Sequence, residues 1–575
     1  MTDKKVTGYP SIDKPWLKYY SEEAIHASLP ECTIYEYLWK NNKNHLDDIA
    51  LDYFRRKITY KELFKEIDRA AKAFISIGIK SGDIVPIISI ATPEIIYSFY
   101  ALNRIGAVTN WIDLRKPSDE ILDTIADCHS SVCLIFDEVD SLLWSNMLSA
   151  GYQCILVSIA DTLPFPKNVL YKAKRLNTVQ SAKKGSIISW HEFLSYANSC
   201  VKINDSCRTD DLAILEHTGG TTGISKAVML TNKNVNSVVA QYRMGGTPLS
   251  RQEKWLSIGF PFIAYTLVCS IHLPLSLGIT GVLCFDIDVP KIKTTVQKYK
   301  CNHMSNVPTT WEKLTLDINE KIDYSFLKNP VVGADTLQPA KEVEINTFLK
   351  QHGAKCEISK GYGMTEVCSA VSVCAPSYNK IGSVGIPFLN TVIAIFDPDT
   401  GEELSYNELG EVCICGPSVM LGYFNQAVET HKVLKCHKDG KLWMHSGDLG
   451  HMDTDGFLYI DGRIKRMLVD HMGFKIFAPQ VEQVLSRCAC VDKCCVVGVS
   501  DPNYAVGQIA IAYIVVKQNM ADAVKEIQQM CANLLPEHSI PQKYIIVNEL
   551  PYTPAGKVDF RALERMAAEM ENRDD

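Results

Sequence analysis

The chain has 575 residues, of which 46% are hydrophobic and 22% are charged, and its formal net charge is -7. A chain of this length exceeds what one ordinary hydrophobic core supports, so we expect a large domain and a smaller one. The negative charge argues against a general nucleic-acid-binding or anionic-membrane surface, although a local basic cleft is compatible with it.

Targeting signals and cysteine usage indicate the cellular compartment. No apolar run reaches the length of a membrane-spanning helix, and no apolar stretch of a signal peptide follows the first five residues. We therefore predict a cytoplasmic protein whose twenty cysteines are mostly reduced thiols. Cys488, Cys490, Cys494 and Cys495 form the densest group. Since paired C-x-x-C spacings are absent there, we expect these thiols to pack as small apolar groups rather than bind zinc.

Predicted helices and strands alternate along the first part of the chain. Residues 61–77 and 93–104 have the apolar spacing of helices, and residues 83–90, 132–136 and 154–157 are apolar strand candidates. Such alternation predicts an α/β fold with mostly parallel sheets flanked by helices. The polar stretch from Pro164 to Ser189 is expected to be an exposed connection.

A second pattern begins after residue 463. Helices are expected over 479–487 and 521–535, and strands over 495–498 and 509–516. Together they cover roughly 110 residues, which suffices for an independent small α+β domain.

The most informative segment runs from Leu215 to Lys226, after a short apolar strand at residues 212–215. Its glycines allow close approach of the backbone to an anion, its threonines and backbone N–H groups can donate to phosphate oxygens, and Lys226 adds a cation. The segment lacks both the Gly-Lys-Ser/Thr ending of a Walker A loop and the G-x-G-x-x-G dinucleotide spacing. Taken alone, it predicts a phosphate-binding loop or a flexible surface turn about equally well.

Four further segments follow in order: 361–366, 446–448, 461–465 and 553–557. With the loop they resemble the adenylate-forming superfamily of acyl-CoA synthetases, luciferases and the adenylation domains of peptide synthetases. The resemblance extends from about Thr59 to Lys557. It implies a large N-terminal domain, residues 1–462, that binds ATP and the acyl group, and a small mobile C-terminal lid, residues 463–575.

The resemblance also implies roles for individual residues. Thr365, Glu366 and Lys557 would be catalytic, with Thr365 and Lys557 on the α-phosphate and Glu366 on Mg²⁺. Lys465 would be the hinge between the domains. ATP or AMP would be bound by Thr218, Gly219, Gly220, Thr221, Thr222, Gly223, Lys226, Gly333, Ala334, Asp335, Gly361, Tyr362, Gly363, Met364, Asp448, Ile460 and Arg463. Coenzyme A would be contacted by Gly473, Phe474 and Lys475.

The sequence departs from the family pattern at three positions of the loop, and for several residues an ordinary structural role remains an alternative. Gly219 stands where serine is usual, Ser225 where proline is usual and Ala227 where glycine is usual, so the loop would depend more on backbone N–H donors. Taken singly, Arg463 could form a surface salt bridge and Lys557 could be merely solvated. Similarly, the Thr-Glu pair could lie on a turn, and Tyr362 could be a core residue.

The acyl pocket is assigned to Phe262, Ile263, Ala264 and Tyr265. The surrounding segment, 259–266, contains neither the histidine found in many acyl-CoA synthetases nor an aspartate that could pair with a substrate amine. An apolar lining is typical of sites for an uncharged acyl or aryl tail. The same four residues could equally be ordinary core.

These features predict an ATP-dependent acyl-CoA synthetase, with ATP, Mg²⁺ and coenzyme A as its cofactor and co-substrates. The enzyme would form an acyl adenylate from a fatty or other apolar acid and transfer the acyl group to the thiol of coenzyme A. One alternative is a ligase that loads the phosphopantetheine arm of a carrier protein. Another is a degenerate, non-catalytic member that only binds nucleotide, against which the retained Lys226, Glu366, Asp448, Arg463 and Lys557 argue.

Overall fold

The structure is a computed structural model that divides into two compact units. It describes residues 6–175, 187–198, 202–203, 207–218, 225–284, 288–316, 322–501, 504, 506–517, 523–552 and 558–574. The larger unit comprises Lys14–Val392 and Ile414–Met444, and the smaller one comprises Met1–Asp13, Ile393–Cys413 and His445–Asp575. The expected domain boundary after residue 462 remains a prediction.

The strands in chain order are β1 Ile49–Tyr53, β2 Arg56–Thr59, β3 Ile84–Ile88, β4 Val108–Trp111, β5 Val132–Phe136, β6 Gln153–Val157, β7 Ile187–Ser189, β8 Leu212–His217, β9 Ala227–Thr231, β10 Lys254–Ile258, β11 Thr280–Cys284, β12 His303–Asn306, β13 Asn329–Val332, β14 Ser359–Tyr362, β15 Ser372–Val373, β16 Ile386–Pro387, β17 Val392–Phe396, β18 Gly410–Cys415, β19 Gly422–Tyr423, β20 Leu434–Cys436, β21 Leu442–Met452, β22 Leu458–Arg463, β23 Met467–Val469, β24 Lys475–Phe477, β25 Val491–Ser500, β26 Gln508–Val516 and β27 Lys543–Ile546.

The α-helices are Pro10–Asp13, Glu22–Ile25, Ile34–Asn42, Tyr60–Ser76, Pro93–Arg104, Ser118–Ala126, Ser141–Ser149, Lys167–Arg175, Trp190–Ser195, Asn232–Met244, Leu273–Ser276, Val289–Tyr299, Pro308–Leu314, Pro339–Gln351, Ala427–Val433, Ala478–Leu485, Ala523–Leu534 and Phe560–Asp574. A π-helix covers Thr266–His272. Within the described residues, we find no helix whose length and apolar content would let it cross a membrane.

The larger unit contains two mixed sheets in which parallel pairing predominates. The first has the order β16-β15-β14-β13-β12-β10-β11-β1-β2, and the second has the order β19-β9-β8-β4-β3-β5-β6-β7. In the first, neighbours from β14 across to β1 are parallel, and antiparallel strands occur only towards its ends. The predicted α/β class, with a large N-terminal part of mostly parallel sheets, is confirmed.

The helix Tyr60–Ser76 illustrates how the sequence determines these elements. The hydroxyl of Thr59 accepts a hydrogen bond from the backbone N–H of Glu62 and caps the first turn. Leu63, Ile67 and Phe74 recur at helical spacing and are completely buried. The predicted helix over 61–77 therefore matches the observed one to within a residue at each end.

One expected connection contains regular structure. The polar stretch from Pro164 to Ser189 includes the helix Lys167–Arg175 and the strand β7, which pairs in parallel with β6. Four of the nine residues of that helix are Lys or Arg, and this composition made the segment look like a loop. Residues 176–186, which lie between the two elements, are outside the described part of the chain.

The smaller unit contains the predicted C-terminal elements. Strands β25, β26 and β27 form a three-stranded sheet. Side chains alternate along β25, so Val496 packs with the helices Ala478–Leu485 and Ala523–Leu534, whereas Val497 packs with the helix Phe560–Asp574. A second sheet of this unit places β17, β18, β21 and β22 in that order.

Candidate active site

Hydrogen bonds join the two ends of the loop between β8 and β9 in the larger unit. The backbone N–H of Thr218 donates to the carbonyl of Lys226 at 3.0 Å, and the N–H of Lys226 donates to Oγ1 of Thr218 at 3.3 Å. The hydroxyl of Ser225 donates to the carbonyl of Thr218 at 2.8 Å. The remaining predicted phosphate-binding residues of this loop lie outside the described residues: Gly219, Gly220, Thr221, Thr222 and Gly223.

The ammonium group of Lys226 is held between an aromatic ring and a carboxylate. It forms an ion pair with Glu429 and lies 4.8 Å from the centroid of the Tyr423 ring. Its side chain is 28% exposed, so solvent and ions can still reach the charge. Lys226 is thus anchored at the end of the loop by two residues that the sequence analysis did not single out.

The same tyrosine reaches the predicted magnesium ligand. The hydroxyl of Tyr423 donates a hydrogen bond to Oε1 of Glu366 at 2.8 Å. Burial, and secondarily the neighbouring Glu366 carboxylate, raises the pKa of Tyr423 above its ordinary value, so this hydroxyl remains a donor at neutral pH. Glu366 lies in the 3-10 turn Thr365–Val367, and its backbone carbonyl accepts from the N–H of Met420 at 2.9 Å.

Two predicted nucleotide-binding segments follow neighbouring parallel strands. Residues 333–335 come directly after β13, and residues 361–364 complete and follow β14, which pairs with β13 in parallel. Because the carboxyl ends of parallel strands meet at one edge of a sheet, both segments lie at the same edge. Ala334 has a φ of 69°, in the left-handed region that favours glycine.

Glycine is required by space at one of these positions. A Cβ atom on Gly363 would lie 1.7 Å from the backbone oxygen of Ser369. Ser369 itself has a φ of 101°, and the preceding Cys368 has a φ of 58°. The turn that carries Thr365 and Glu366 is therefore packed against strained backbone, a feature common at functional sites.

Two buried titratable groups precede the loop. Glu216 is completely buried, and burial raises the pKa of its carboxyl group well above the ordinary value of 4.5. Among the described residues neither carboxyl oxygen has a hydrogen-bond partner. Burial, and then Lys116, lowers the pKa of His217 to about 4, so its neutral ring donates from Nε2 to Oδ1 of Asn110 at 2.7 Å.

The predicted acyl pocket residues differ in burial. Phe262 and Ala264 are buried, Tyr265 is half-buried, and Ile263 is 42% exposed. The hydroxyl of Tyr265 accepts a hydrogen bond from Ser305 at 2.9 Å. The segment therefore combines apolar surface with one bonded hydroxyl.

A cation lies against the aromatic part of this segment. The guanidinium of Arg115 is 5.0 Å from the ring centroid of Phe260 and 5.2 Å from that of Phe262. Its charge is balanced by Asp113, since Nη2 of Arg115 is 2.7 Å from Oδ2 of that residue. The arginine thus packs as a paired, stacked side chain.

In the smaller unit, Asp448 and Arg463 are cross-strand neighbours on β21 and β22 and form an ion pair. The carboxylate of Asp448 is nearly buried at 5% exposure, whereas Arg463 is 54% exposed. Ile460 is half-buried on β22, opposite Gly450. These three predicted ATP-binding residues belong to one pair of strands.

A second carboxylate anchors the segment that carries Asp448. Oε1 of Glu411 accepts from the N–H of Gly447 at 3.0 Å, and Oε2 is 2.7 Å from Nδ1 of His445. Ser446 donates to the carbonyl of Val412 and accepts from the N–H of Asp448 at 3.0 Å. Each residue from His445 to Asp448 is thereby hydrogen-bonded either to a residue of β18 or to another residue of this segment.

Among the other predicted residues of the smaller unit, Gly473 and Phe474 are exposed, and Lys475 is half-buried at the start of β24. Lys465 is exposed in the 3-10 helix Ile464–Arg466. Gly473 is in the turn of the β23–β24 hairpin, Phe474 stacks on His538 with ring centroids 4.9 Å apart, and Nζ of Lys475 is 2.6 Å from Oδ2 of Asp399. Lys557 lies outside the described residues. The hinge and coenzyme A roles of these residues stay predictions.

The cysteines that the structure describes are free thiols. In the C-terminal group, Cys488, Cys490 and Cys494 pack with one hydrophobic cluster, whereas Cys495 packs with the cluster on the opposite face of the sheet. Sγ of Cys488 is 3.0 Å from that of Cys490 and 3.3 Å from Oε1 of Glu526. The thiols pack within these hydrophobic clusters, and Cys488, Cys490 and Glu526 also present three potential metal-ligand atoms within 4.8 Å of one another.

Sequence reasoning missed Tyr423, Glu429, Glu411 and His445. Each acts by a contact with a residue distant in the sequence, so no local spacing marks it. The only available signal was position, since His445 directly precedes the predicted segment 446–448, and Glu411 lies in an apolar strand where a buried acid needs partners.

Two mostly parallel sheets, a hydroxyl- and lysine-bearing loop, and a carboxylate joined to that lysine through a tyrosine define a nucleotide-binding α/β enzyme. The chain belongs to the AMP-binding enzyme family, whose pattern matches residues 38–424, and the pattern of the AMP-binding enzyme C-terminal domain matches residues 480–557. The expected membership of the adenylate-forming superfamily is confirmed.

Named relatives support the same classification. The chain is 29% identical to the long-chain-fatty-acid–CoA ligase of Bacillus subtilis, over 96% of this chain and 97% of the relative. It is 27% identical to the probable 4-coumarate–CoA ligase 2 of Dictyostelium discoideum, over 88% and 90%. It shares its fold with the o-succinylbenzoate coenzyme A synthetase of Bacillus subtilis solved with ATP and magnesium, with a TM-score of 0.74, 23% identity, and coverage of 93% and 100%.

Proposed function

We propose that the protein is an ATP-dependent carboxylic acid–CoA ligase. It would form an acyl adenylate with release of pyrophosphate and then transfer the acyl group to coenzyme A with release of AMP. The observation that carries this proposal is the arrangement of one tyrosine ring, Tyr423, between the cation of Lys226 and the carboxylate of Glu366. A triphosphate needs both a cation and a metal-holding carboxylate at close range.

The first half-reaction places negative charge on the transferring phosphoryl group and on the leaving pyrophosphate. The substrate carboxylate attacks the α-phosphorus, and the bond from that phosphorus to the bridging oxygen of the leaving group breaks. Fixed donors and cations stabilise this charge without reorganisation. We assign Lys226 and Thr218 to the β- and γ-phosphates, and Thr365 and Lys557 to the α-phosphate.

Glu366 fits the magnesium role. Its carboxylate is half-buried, and Oε1 accepts a hydrogen bond from a neutral donor, the hydroxyl of Tyr423. A hard cation prefers such an oxygen ligand together with substrate phosphates and water. When bound, Mg²⁺ would neutralise phosphate charge, and Glu366, oriented by Tyr423, would be the protein's ligand for it.

The remaining nucleotide contacts are assigned by position. Tyr362, at the end of β14, supplies a ring face for adenine, and residues 333–335 at the same sheet edge would line the base. In the smaller unit, the nearly buried Asp448 would accept hydrogen bonds from the ribose hydroxyls, with Arg463 beside it. The ion pair with Arg463 would orient the carboxylate of Asp448 for these hydrogen bonds.

The acyl substrate is proposed to have an uncharged tail. Phe262 and Ala264 are buried and apolar, and the nearby Arg115 is already paired with Asp113. A buried ammonium group without a partner would cost several kcal/mol. The long-chain fatty acid and 4-coumarate named for two relatives both have tails of this kind.

Coenzyme A is proposed as the thiol acceptor, since both sequence relatives named above are CoA ligases and the chain matches them over 97% and 90% of their length. The exposed hairpin residues Gly473, Phe474 and Lys475 are the proposed contacts for it.

A substrate panel tests the proposal. Pyrophosphate release would be measured for a straight-chain fatty acid, an aryl acid and their α-amino analogues, each with and without coenzyme A. We expect the two uncharged-tail acids to be active, and coenzyme A to accelerate turnover by releasing the adenylate. Preference for an α-amino analogue would overturn the assigned tail chemistry, and an absence of any acid-dependent pyrophosphate release would overturn the ligase function.

A further inference from the structure

The partner of Lys226 in the structure is itself an anion. Glu429 pairs with Lys226 through Oε2, and with Lys432 through Oε1. Both lysines lower the pKa of Glu429 to about 2, with Lys226 as the larger cause, so the carboxylate is charged at any physiological pH. A lysine expected to bind phosphate therefore already has a competing ligand.

Backbone contacts hold the helix that carries Glu429 in place. The ion pair between Lys226 and Glu429 therefore does not depend on two flexible side chains alone. The helix Ala427–Val433, which carries Glu429, is attached to β19, because Oγ1 of Thr430 accepts from the N–H of Tyr423 at 2.9 Å. Strand β19 pairs with β9, which begins directly after Lys226. The N–H of Phe424 also donates to the carbonyl of Ala227 at 2.8 Å.

The paired strands β9 and β19 and the helix that follows them thus bring together three side chains: the lysine, the tyrosine whose ring contacts its ammonium, and the acid that neutralises it. The side chains of Lys226 and Glu429 are 28% and 31% exposed. A partly exposed ion pair is weak and can be broken by a stronger anion. Phosphate oxygens bind an ammonium more strongly than one carboxylate does, because they carry more charge and more acceptor sites.

We propose that Glu429 is an internal counter-ion of Lys226 that nucleotide phosphate must displace, so that this carboxylate sets the affinity for ATP and for pyrophosphate. The proposal rests on the phosphate role of Lys226 proposed above. While the site is empty, Glu429 holds the ammonium over the Tyr423 ring. When ATP binds, Lys226 exchanges the carboxylate for phosphate, and the loss of the ion pair reduces the net affinity.

The test is a double-mutant cycle on the full-length protein with Glu429→Gln and Lys226→Gln, read by calorimetric binding of ATP with Mg²⁺. Glu429→Gln alone should bind ATP about two- to fivefold more tightly, since it removes the competitor. In the Lys226→Gln background the same substitution should have little effect, because the competition acts through the lysine. The KM for the carboxylic acid should not change.

The outcomes distinguish failure of the counter-ion role of Glu429 from failure of the phosphate role of Lys226. Equal tightening by Glu429→Gln in both backgrounds would reveal a general charge effect and overturn the counter-ion. Unchanged or weaker ATP binding in Glu429→Gln alone, with Lys226→Gln weakened as expected, would overturn only the counter-ion. If Lys226→Gln binds ATP as tightly as the unmodified protein, the phosphate role of Lys226 fails and the counter-ion fails with it. Thermal unfolding of each variant would verify that all four proteins are folded.

Discussion

The hydroxyl of Tyr423 donates a 2.8 Å hydrogen bond to Oε1 of Glu366, while the ring of the same tyrosine lies 4.8 Å from the ammonium of Lys226. One side chain therefore orients both charged groups proposed to act on the triphosphate. Because Tyr423 lies on β19, which pairs with β9 next to the loop, its position is set by the sheet. The tyrosine is a positioning residue in this account.

Tyr423→Phe tests that relationship. The substitution keeps the ring beneath Lys226 and removes only the hydrogen bond to Glu366. A hydrogen bond to a charged group contributes about 1.5–3 kcal/mol, so adenylation should slow by roughly 10-fold or more. Pyrophosphate release measured over a range of Mg²⁺ concentrations should show a raised Mg²⁺ requirement. Glu366→Gln, which removes the charge itself, should raise it further, and an unchanged titration in both variants would refute the magnesium role.

Lys557→Ala should separate the two half-reactions. A cation on a transferring phosphoryl group can contribute about 10³-fold or more to the rate, so formation of the adenylate should fall by that order. Conversion of supplied acyl adenylate and coenzyme A to the thioester should continue, because that step transfers the acyl group to the thiol with AMP as the leaving group and transfers no phosphoryl group. Equal loss of both activities would contradict the assignment.

Glu411→Gln should weaken ATP binding from a position that does not contact the nucleotide. The amide nitrogen of glutamine cannot accept a hydrogen bond, so one of the two bonds, to the N–H of Gly447 or to Nδ1 of His445, should be lost and the segment carrying Asp448 should loosen. We expect the KM for ATP to rise by roughly 10-fold with little change in the KM for the acid. Ile414→Val is the matched control, since it trims a buried side chain of the same strand and leaves both bonds of Glu411 in place. Similar effects of the two substitutions would indicate general loosening of the strand.

The buried Glu216 predicts a pH dependence of stability. Its pKa in the folded protein is raised above 4.5, so between 4.5 and the raised value the native state holds a proton that the unfolded chain has lost. The contribution of Glu216 to the free energy of unfolding is therefore fully present below pH 4.5 and declines as the pH rises. Glu216→Gln cannot titrate. Its free energy of unfolding relative to the unmodified protein should therefore increase between about pH 5 and pH 8, as measured by urea denaturation.

A constant difference between the two proteins over that range would mean that Glu216 keeps an ordinary pKa in the folded state. His217→Gln is a useful comparison, because its pKa is shifted in the opposite direction by burial. That substitution should change the pH dependence in the acid range below about pH 6.5.

Much of the fold could be predicted because it follows local periodicity. The helix Pro93–Arg104 and the strand β5 begin and end where their apolar patterns do. The helix Lys167–Arg175 was missed because four of its nine residues are Lys or Arg, a composition that is also typical of exposed connections. The division into two compact units also differs from a simple cut in sequence, since residues 393–413 belong with the C-terminal part.

Candidate site residues could be proposed from the sequence where a motif consists of consecutive residues, as in the turn containing Thr365 and Glu366, whose roles stay predictions. The site was not predictable where the function depends on a tertiary contact. Nothing in the sequence around Glu429 indicates that it pairs with a residue about 200 positions earlier. The same holds for Tyr423, whose role exists only because β19 is added to the edge of the sheet next to β9.

The most direct test of the central claim is identification of the products by mass. The unmodified protein would be incubated with ATP, Mg²⁺ and a straight-chain fatty acid or an aryl acid, first without and then with coenzyme A. The account predicts an enzyme-bound acyl adenylate and pyrophosphate in the first case, and acyl-CoA, AMP and pyrophosphate in the second. Adenylate that accumulates unchanged in the presence of coenzyme A, but is consumed by a phosphopantetheine-bearing carrier protein, would contradict the assignment of the acceptor.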